Sequence, residues 1–558
     1  MPIVKLEMLK GRTLDQKRAL AKALTDAVAT NANVPPEQVW VVIDEVDREN
    51  WTSGGTSCPN DSINQQPRSR VRPALSEVRS SFSAAKHSRR AVVVGSGPNG
   101  LAAGIALSQA GFRTTLFEGS DTIGGGVRSE ALTLPGFVHD VCSAVHPLAL
   151  ASPFFRGLPL VEHGLEWVHA PAVLCHPLDG GRAVVLERSL ARTAAGLGAD
   201  GAAYGELLAP LLERWQVLMQ DVLAPPRLPR APRALARFAL HGLLPATWLA
   251  RARFRTEPAR GLLAGLAAHA PLPLNRSPSA AFGLVLALAG HAVGWPIPRG
   301  GAGSIARALA GCFTSLGGDV VTRCEIHRLD ELPHSGATLL DITPRQFLRL
   351  AGSQLPALYR GQLRHFAYGL GTCKVDWALD APIPWAAPEC ARAATVHLGG
   401  SLAEIAAAHA AAWAGSHPSE PFVILAQPTL FDPSRAPEAR HTAWAYCHVP
   451  PGSNADLTER IEQQVERFAP GFRRRILARH TFTSAGLERH NPNLVGGDIA
   501  GGISNLAQLL TRPALQPNPY CTPLRGVYLC SASTPPGGGV HGMCGYHAAQ
   551  SVIRGSAA

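Results

Sequence analysis

Glycines at positions 95, 97, 100 and 104 fall at a spacing that lets backbone hold a phosphate group. They lie in Gly95-Ser96-Gly97-Pro98-Asn99-Gly100-Leu101-Ala102-Ala103-Gly104, directly after the apolar run Ala91-Val92-Val93-Val94. A lone G-x-G-x-x-G is weak evidence, but a strand before it and a helix after it give the context in which it binds a dinucleotide pyrophosphate. Gly95 permits the tight turn, Gly97 lets the backbone approach the pyrophosphate, and Gly100 and Gly104 let helix and strand pack closely. Ser96, Pro98 and Asn99 fill the turn, and the helix start offers unpaired N–H groups to the phosphates.

The next strand, Arg113 to Phe117, ends at Glu118. An acid about twenty residues past such glycines accepts the ribose hydroxyls and argues against a bound 2′-phosphate. Beyond it, Ile123-Gly124-Gly125-Gly126-Val127-Arg128 brings a second glycine-rich stretch. Gly125 and Gly126 let that backbone reach the cofactor, while Arg128 offsets pyrophosphate charge. This second element selects FAD over NAD. Near the C-terminus, the short apolar strand Gly526 to Leu529 is followed by another Gly-rich turn, which contains Gly538, Gly539 and Val540.

Three bodies must position these groups. Residues 1–55 read as a small β-α-β unit: Ile3 to Met8 alternates apolar and charged residues, Val39 to Val46 is β-branched, and Leu20, Ala23, Leu24, Ala27 and Val28 form one stripe between them. Thr13 and Gln16 have capping-box spacing. So small a unit cannot bury enough surface alone, which predicts a homo-oligomer or docking elsewhere. Residues 56–89 have the polar composition of a flexible linker, and 90–558 form the third body.

At 558 residues and 46% apolar content the chain holds at least two domains. Eleven scattered cysteines never form C-x-x-C, so neither a disulfide framework nor a metal site is expected, and a cytoplasmic setting fits best. The formal charge of +11 does not coincide with any nucleic-acid-reading motif. Part of it lies in 227–255, where arginines interleave with Leu and Trp. That patch reads either as a solvated helical face or as a peripheral membrane contact on anionic lipid. Ala280 to Ile297, interrupted by His291, reads as a buried helix, and the apolar run from Phe282 favours a lipophilic small-molecule substrate.

The cofactor motifs of residues 90–558 resemble the FAD-dependent amine oxidase and phytoene desaturase superfamily. Ser533-Thr534-Pro535-Pro536-Gly537-Gly538-Gly539-Val540-His541 is similar to the closing motif of its phytoene-dehydrogenase-related branch, which implies that the Gly537-Gly538-Gly539 turn, with Val540, binds FAD and leads into a helix whose positive end stabilises an anionic reduced flavin. Blocks 374–379, 443–450 and 491–498 look like segments of that branch. The resemblance implies an α/β fold: a Rossmann-type FAD-binding domain (about 90–150, 298–345 and 520–558) with an interleaved α+β substrate domain (151–297 and 346–519). It implies hydride removal from a C–H bond, with polyenes or amines as substrate classes and O₂, quinone or NAD(P) as the open choice of electron acceptor. Catalytic residues at the flavin stay unassigned, and His139, Asp140, His146, His541 and His547 flank its motifs. Ser531-Ala532-Ser533 departs from the family pattern, which leaves the ribityl contact open.

Met1-Pro2-Ile3-Val4-Lys5 and the segment that follows resemble the 4-oxalocrotonate tautomerase family. The resemblance implies that Pro2, freed of the initiator Met, acts as general base, with Arg12 holding a substrate carboxylate and Trp51 closing the pocket. A second family arginine is replaced by Trp40. Two alternatives stand beside the two-activity reading: a non-catalytic flavin-fold assembly protein oligomerised by its first unit, and a chain in which only the tautomerase works.

Overall fold

The structure is a computed structural model that describes residues 3–9, 14–32, 34–46, 52–53, 56–57 and 89–557. The chain divides into two compact units, one ending at Ser81 and one beginning at Phe82. Pro2, Arg12, Thr13 and Trp51, with residues 58–88 of the linker expected over 56–89, lie outside the described residues.

In the first unit, strand Ile3–Leu9 pairs in parallel with strand Trp40–Val46, with Ile3 opposite Trp40. Parallel neighbours need a crossover, and helix Leu14–Ala32 supplies it. Thr52–Ser53 and Thr56–Ser57 add a short antiparallel pair, so strand structure continues past residue 55 into sequence whose polar composition reads as linker. The unit leaves apolar surface uncovered: Trp40 is 58% exposed and Val42 42%.

The second unit is built on a five-stranded parallel sheet. Its order is Asp319–Val321, Arg113–Phe117, Arg90–Val94, Ala337–Leu340, Val527–Leu529. In chain order this is 3-2-1-4-5, so the direction of winding reverses between Arg90–Val94 and Ala337–Leu340. Ligands of such sheets bind at that switch point, beyond the strands' carboxyl ends. Helix Pro98–Gln109 leaves the first strand through the glycine turn, with Pro98 at a position that needs no N–H. Gly104 faces Phe313 of helix Gly303–Ser315, where a Cβ would stand 3.0 Å from the ring. The close packing expected there against the strand is therefore helix against helix.

A seven-stranded sheet forms the rest, in the order Arg182–Leu186, Leu174–Leu178, Thr395–Leu398, Val423–Ala426, His441–Val449, Gly371–Leu379, Ile476–Phe482. The two-residue period of its strands sends alternate side chains to two environments. Val375, Trp377, Leu425 and Cys447 enter a core with Ile461, Val465 and Phe472, and Trp377 donates to Glu462 at 3.0 Å. Ile424, Ala426, Trp444 and Tyr446 face the other way, toward a helical layer that includes Glu257–Ala267 and Ser279–Ala292. His291, which interrupts the apolar run of the latter helix, is buried and shares a hydrogen bond with Tyr204 at 2.9 Å. Among the described residues, no helix is long and apolar enough to cross a membrane.

Candidate functional site

A cavity of about 1100 Å³ opens at the switch point and runs on to the helix-facing side of the seven-stranded sheet. Backbone makes its first end. Gly95 takes φ +100°, a left-handed conformation that only glycine adopts without strain. A Cβ on Gly100 would fall 2.0 Å from the Gly95 carbonyl, and one on Gly97 would fall 2.7 Å from Asp341 Oδ2. A Cβ on Gly125 would meet Gly97 Cα at 3.1 Å, whereas Gly126 has nothing within 4 Å and faces open space. Glu118 accepts from the Ser96 N–H at 2.9 Å, the Ser96 hydroxyl at 2.5 Å and the Ser120 N–H at 2.8 Å. Arg128 donates to the Gly125 carbonyl at 3.1 Å and to Ser120 Oγ at 3.3 Å, so its guanidinium is held beside the glycines.

The late turn closes this end. Gly538, Gly539 and Val540 line the same cavity as Gly95, Ser96, Gly97, Pro98, Asn99, Glu118, Gly125, Gly126 and Arg128. Gly538 rests on Ala500, whose carbonyl would be 2.6 Å from an added Cβ. Buried Asp498 shapes that support by accepting N–H bonds from Gly369, Ala500 and Gly502 at 2.7–2.8 Å. Ser531 and Ala532 also reach the cavity, and buried Arg512 holds their segment through the Ala532 and Ser533 carbonyls. Gly545 serves packing instead, where a Cβ would stand 1.8 Å from the Asn99 carbonyl.

This cradle fits an extended dinucleotide: three backbone stretches converge where side chains are sterically excluded, with an acid for the ribose and a guanidinium for the phosphates. One residue there has no counterpart among the expected contacts. Asp341, at the end of strand Ala337–Leu340, accepts the Gly100 N–H at 2.9 Å. Burial first, and then the nearby Glu118 charge, push its carboxyl up to about 7. It is therefore mostly protonated below neutral pH and adds its negative charge beside the phosphate position as pH rises through about 7.

Side chains make the second end. Phe238, Phe282, Val285 and Trp295 line it, opposite Trp444 and Tyr446, whose rings stack with centroids 5.8 Å apart. Lys374 stands in this wall, buried, in ion contact with Asp376 and 5.5 Å from the centre of the Trp444 ring. Sequence reasoning took Lys374 only as part of the family-like block 374–379. A usable signal was present: Lys374 is the single lysine between Arg89 and Ala558. Burial pushes Asp376 up to about 6 against the pull of Lys374. His139 lies 3.6 Å from Asp376, but burial, with Lys374 and Arg435 nearby, lowers it to about 3. That contact joins a neutral imidazole to the carboxyl at pH 7. Asp140 and Arg435 form a fully buried ion pair at 2.7 Å, and Asp140 also receives Ser129 Oγ and the Ala302 N–H.

The other flanking histidines have structural partners or sit in the wall. His541 accepts the Met543 N–H at 3.0 Å and so caps helix Met543–Ala557. His547 bonds the Leu223 carbonyl at 3.1 Å. His146 lines the cavity beside the late turn. Burial lowers all three to about 4, so none is charged at neutral pH.

Comparisons with known proteins divide the chain in the same way. A tautomerase enzyme family model matches residues 2–59, and a model of NAD(P)-binding Rossmann-like domains matches residues 93–155. Mouse pyridine nucleotide-disulfide oxidoreductase domain-containing protein 2 is 27% identical over 551 residues, spanning 83% of this chain and 93% of its own. A probable tautomerase of Listeria monocytogenes is 40% identical over 55 residues, 10% of this chain and 90% of its own. An oxidoreductase from Methanosarcina mazei shares the fold with a TM-score of 0.58 at 16% identity, over 83% of this chain and all of that one. Cyclohexylamine oxidase from Brevibacterium oxydans does so with a TM-score of 0.52 at 16% identity, over 84% and 99%. The chain is thus a fusion: a tautomerase-like domain at residues 2–59 is followed by an oxidoreductase body of Rossmann-type, amine-oxidase-like fold.

Proposed function

We propose that the body is an FAD-dependent oxidoreductase that removes hydride from a C–H bond of a small, neutral and mainly apolar substrate. The observation that carries this reading is the continuity of the cavity from the glycine cradle to the Phe238, Phe282 and Trp444 wall. When bound, the flavin supplies the two-electron acceptor. The N–H groups at the start of helix Pro98–Gln109 and Arg128 hold the pyrophosphate, Glu118 the ribose, and the Gly538–Val540 backbone the ring end. Lys374 Nζ sets a fixed cation in the substrate wall, able to orient an oxygen or hand over a proton.

The acids lining the cavity are Glu118, Glu325 and Asp341, all near the cradle, so among the described residues the apolar end holds no carboxylate for an ammonium. This favours an alkene or an uncharged amine over a protonated amine. Anaerobic titration of the yellow holoprotein with neutral alkenes and with amines tests the reading. Bleaching of the flavin absorbance by neutral compounds is expected. A protein that stays colourless after incubation with FAD overturns the FAD assignment, and bound flavin that nothing bleaches favours a non-catalytic assembly role.

For the first unit, the family match supports Pro2 as general base and Arg12 as carboxylate holder, while Trp40 in place of an arginine argues against a dicarboxylate. Exposed Trp40 and Val42 fit a homo-oligomeric unit. Pro2→Ala abolishes ketonisation of a model enol if the proline works; unchanged turnover shows that it does not.

A further inference from the structure

Between Val222 and Thr256 the chain carries seven arginines and no aspartate or glutamate. The folded chain sorts this segment by face. Helix Pro232–Gly242 turns Arg233, Arg237 and Leu240 outward, one above another at helical spacing, while Leu235 and Phe238 line the cavity behind. Helix Ala246–Arg253 turns Trp248 and Arg251 outward and buries Leu249. Leu228 is 93% exposed, Leu240 69% and Trp248 59%. Among the described residues no carboxylate forms an ion pair with Arg233, Arg237 or Arg251. A merely solvated helical face neither projects Leu and Trp nor lacks acids over such a length.

We propose that this surface docks the protein on an anionic lipid bilayer, with the cavity one helix thick behind the contact. Exposed Leu and Trp enter the boundary between headgroups and acyl chains, and the arginine stems lie along it with guanidinium groups on the phosphates. A second copy of the chain fits poorly, since a two-fold contact would set the arginines of one copy against those of the other. Nucleic acid fits poorly too, because the projecting groups are mostly aliphatic and give no run of stacking platforms. The proposal holds whether or not the cavity binds FAD.

Co-sedimentation of the full chain with vesicles tests it, using phosphatidylcholine alone and phosphatidylcholine with about 30 mol % phosphatidylglycerol. Partitioning at least about tenfold stronger on the anionic vesicles is expected, falling away at about 1 M NaCl, where the screening length is about 3 Å. Arg233→Gln with Arg237→Gln weakens it by about 30-fold. Leu240→Ser with Trp248→Ser weakens it by at least about tenfold and removes any blue shift of tryptophan emission on adding vesicles. Circular dichroism identical to wild type shows that these surface variants fold. No preference for anionic vesicles, or natively folded variants that partition like wild type, overturns the proposal. So does lipid-free self-association that Leu240→Ser abolishes in sedimentation velocity, which would make the face a contact between copies.

Discussion

The two ends of the cavity are made in opposite ways. At the cradle, selectivity rests on what is missing: at Gly100 and Gly538 a methyl group would collide with neighbouring backbone, at Gly97 with the Asp341 carboxyl, and at Gly125 it would crowd Gly97. At the far end it rests on what is present, with Lys374, Trp444 and Tyr446 on two paired strands and Phe238, Phe282 and Val285 on two helices. A cradle of backbone is rigid and local, while a wall of side chains can change with substrate and leave the fold intact. Substitutions at the first end should therefore abolish cofactor binding, and those at the second should alter turnover with the cofactor retained.

The largest effect is expected at the cradle. Gly100→Val forces side-chain atoms into the Gly95 carbonyl, and flavin affinity should fall by more than about 100-fold, equivalent to about 3 kcal/mol. The flavin absorbance of the purified protein reads this directly, and a fully yellow variant would break the contrast. At the other end, Lys374→Met should keep the flavin and lower turnover by about 10²–10³-fold. It also strands buried Asp376, so the double variant Lys374→Met with Asp376→Asn is the informative control. Stability recovered without turnover marks the ammonium as functional, and turnover recovered with stability marks it as structural.

Asp341 sharpens the comparison because, like Glu118, it touches the cradle's backbone donors, and it does so at the start of the helix. Its folded-state value of about 7 stands above the ordinary 3.8, so the folded protein holds this proton more tightly than the unfolded chain. The stabilisation is complete below about pH 4 and is lost as pH rises through about 7. Asp341→Asn should remove that part of the pH dependence of thermal unfolding. It should also flatten a decline in flavin affinity between pH 6 and 8, as an ionised carboxylate begins to repel the pyrophosphate. The smallest effect is expected at Trp444→Phe, where KM rises by about threefold to tenfold with kcat nearly unchanged, since apolar contact binds ground state and transition state alike.

Much of the cradle was legible in the sequence. Glycine spacing, Glu118 and Arg128 are fixed by local backbone geometry, which repeats wherever a strand leads into a phosphate-binding helix. Asp341 was not legible, because it meets Gly97 only through the reversal of strand order that pairs Arg90–Val94 with Ala337–Leu340. Trp444 escaped for a similar reason: the two-residue period says that alternate residues share a face, but not which face turns to a cavity. The uneven use of lysine and arginine did mark Lys374, though as composition and without location. In the first unit, the strands predicted over Ile3 to Met8 and Val39 to Val46 form within one residue at each end.

The late turn at Gly538–Val540 also imposes an order on synthesis. A ribosome adds about 5–20 residues per second, so the cradle's first two stretches emerge tens of seconds before the third. Through that interval the nascent chain presents Gly95–Gly100 and Arg128 without the Gly538–Val540 segment that completes this end of the cavity. On the proposed FAD reading, cofactor loading therefore belongs to the completed polypeptide, and a message cut short before codon 537 is expected to yield a body that retains no flavin, however well its earlier strands had folded.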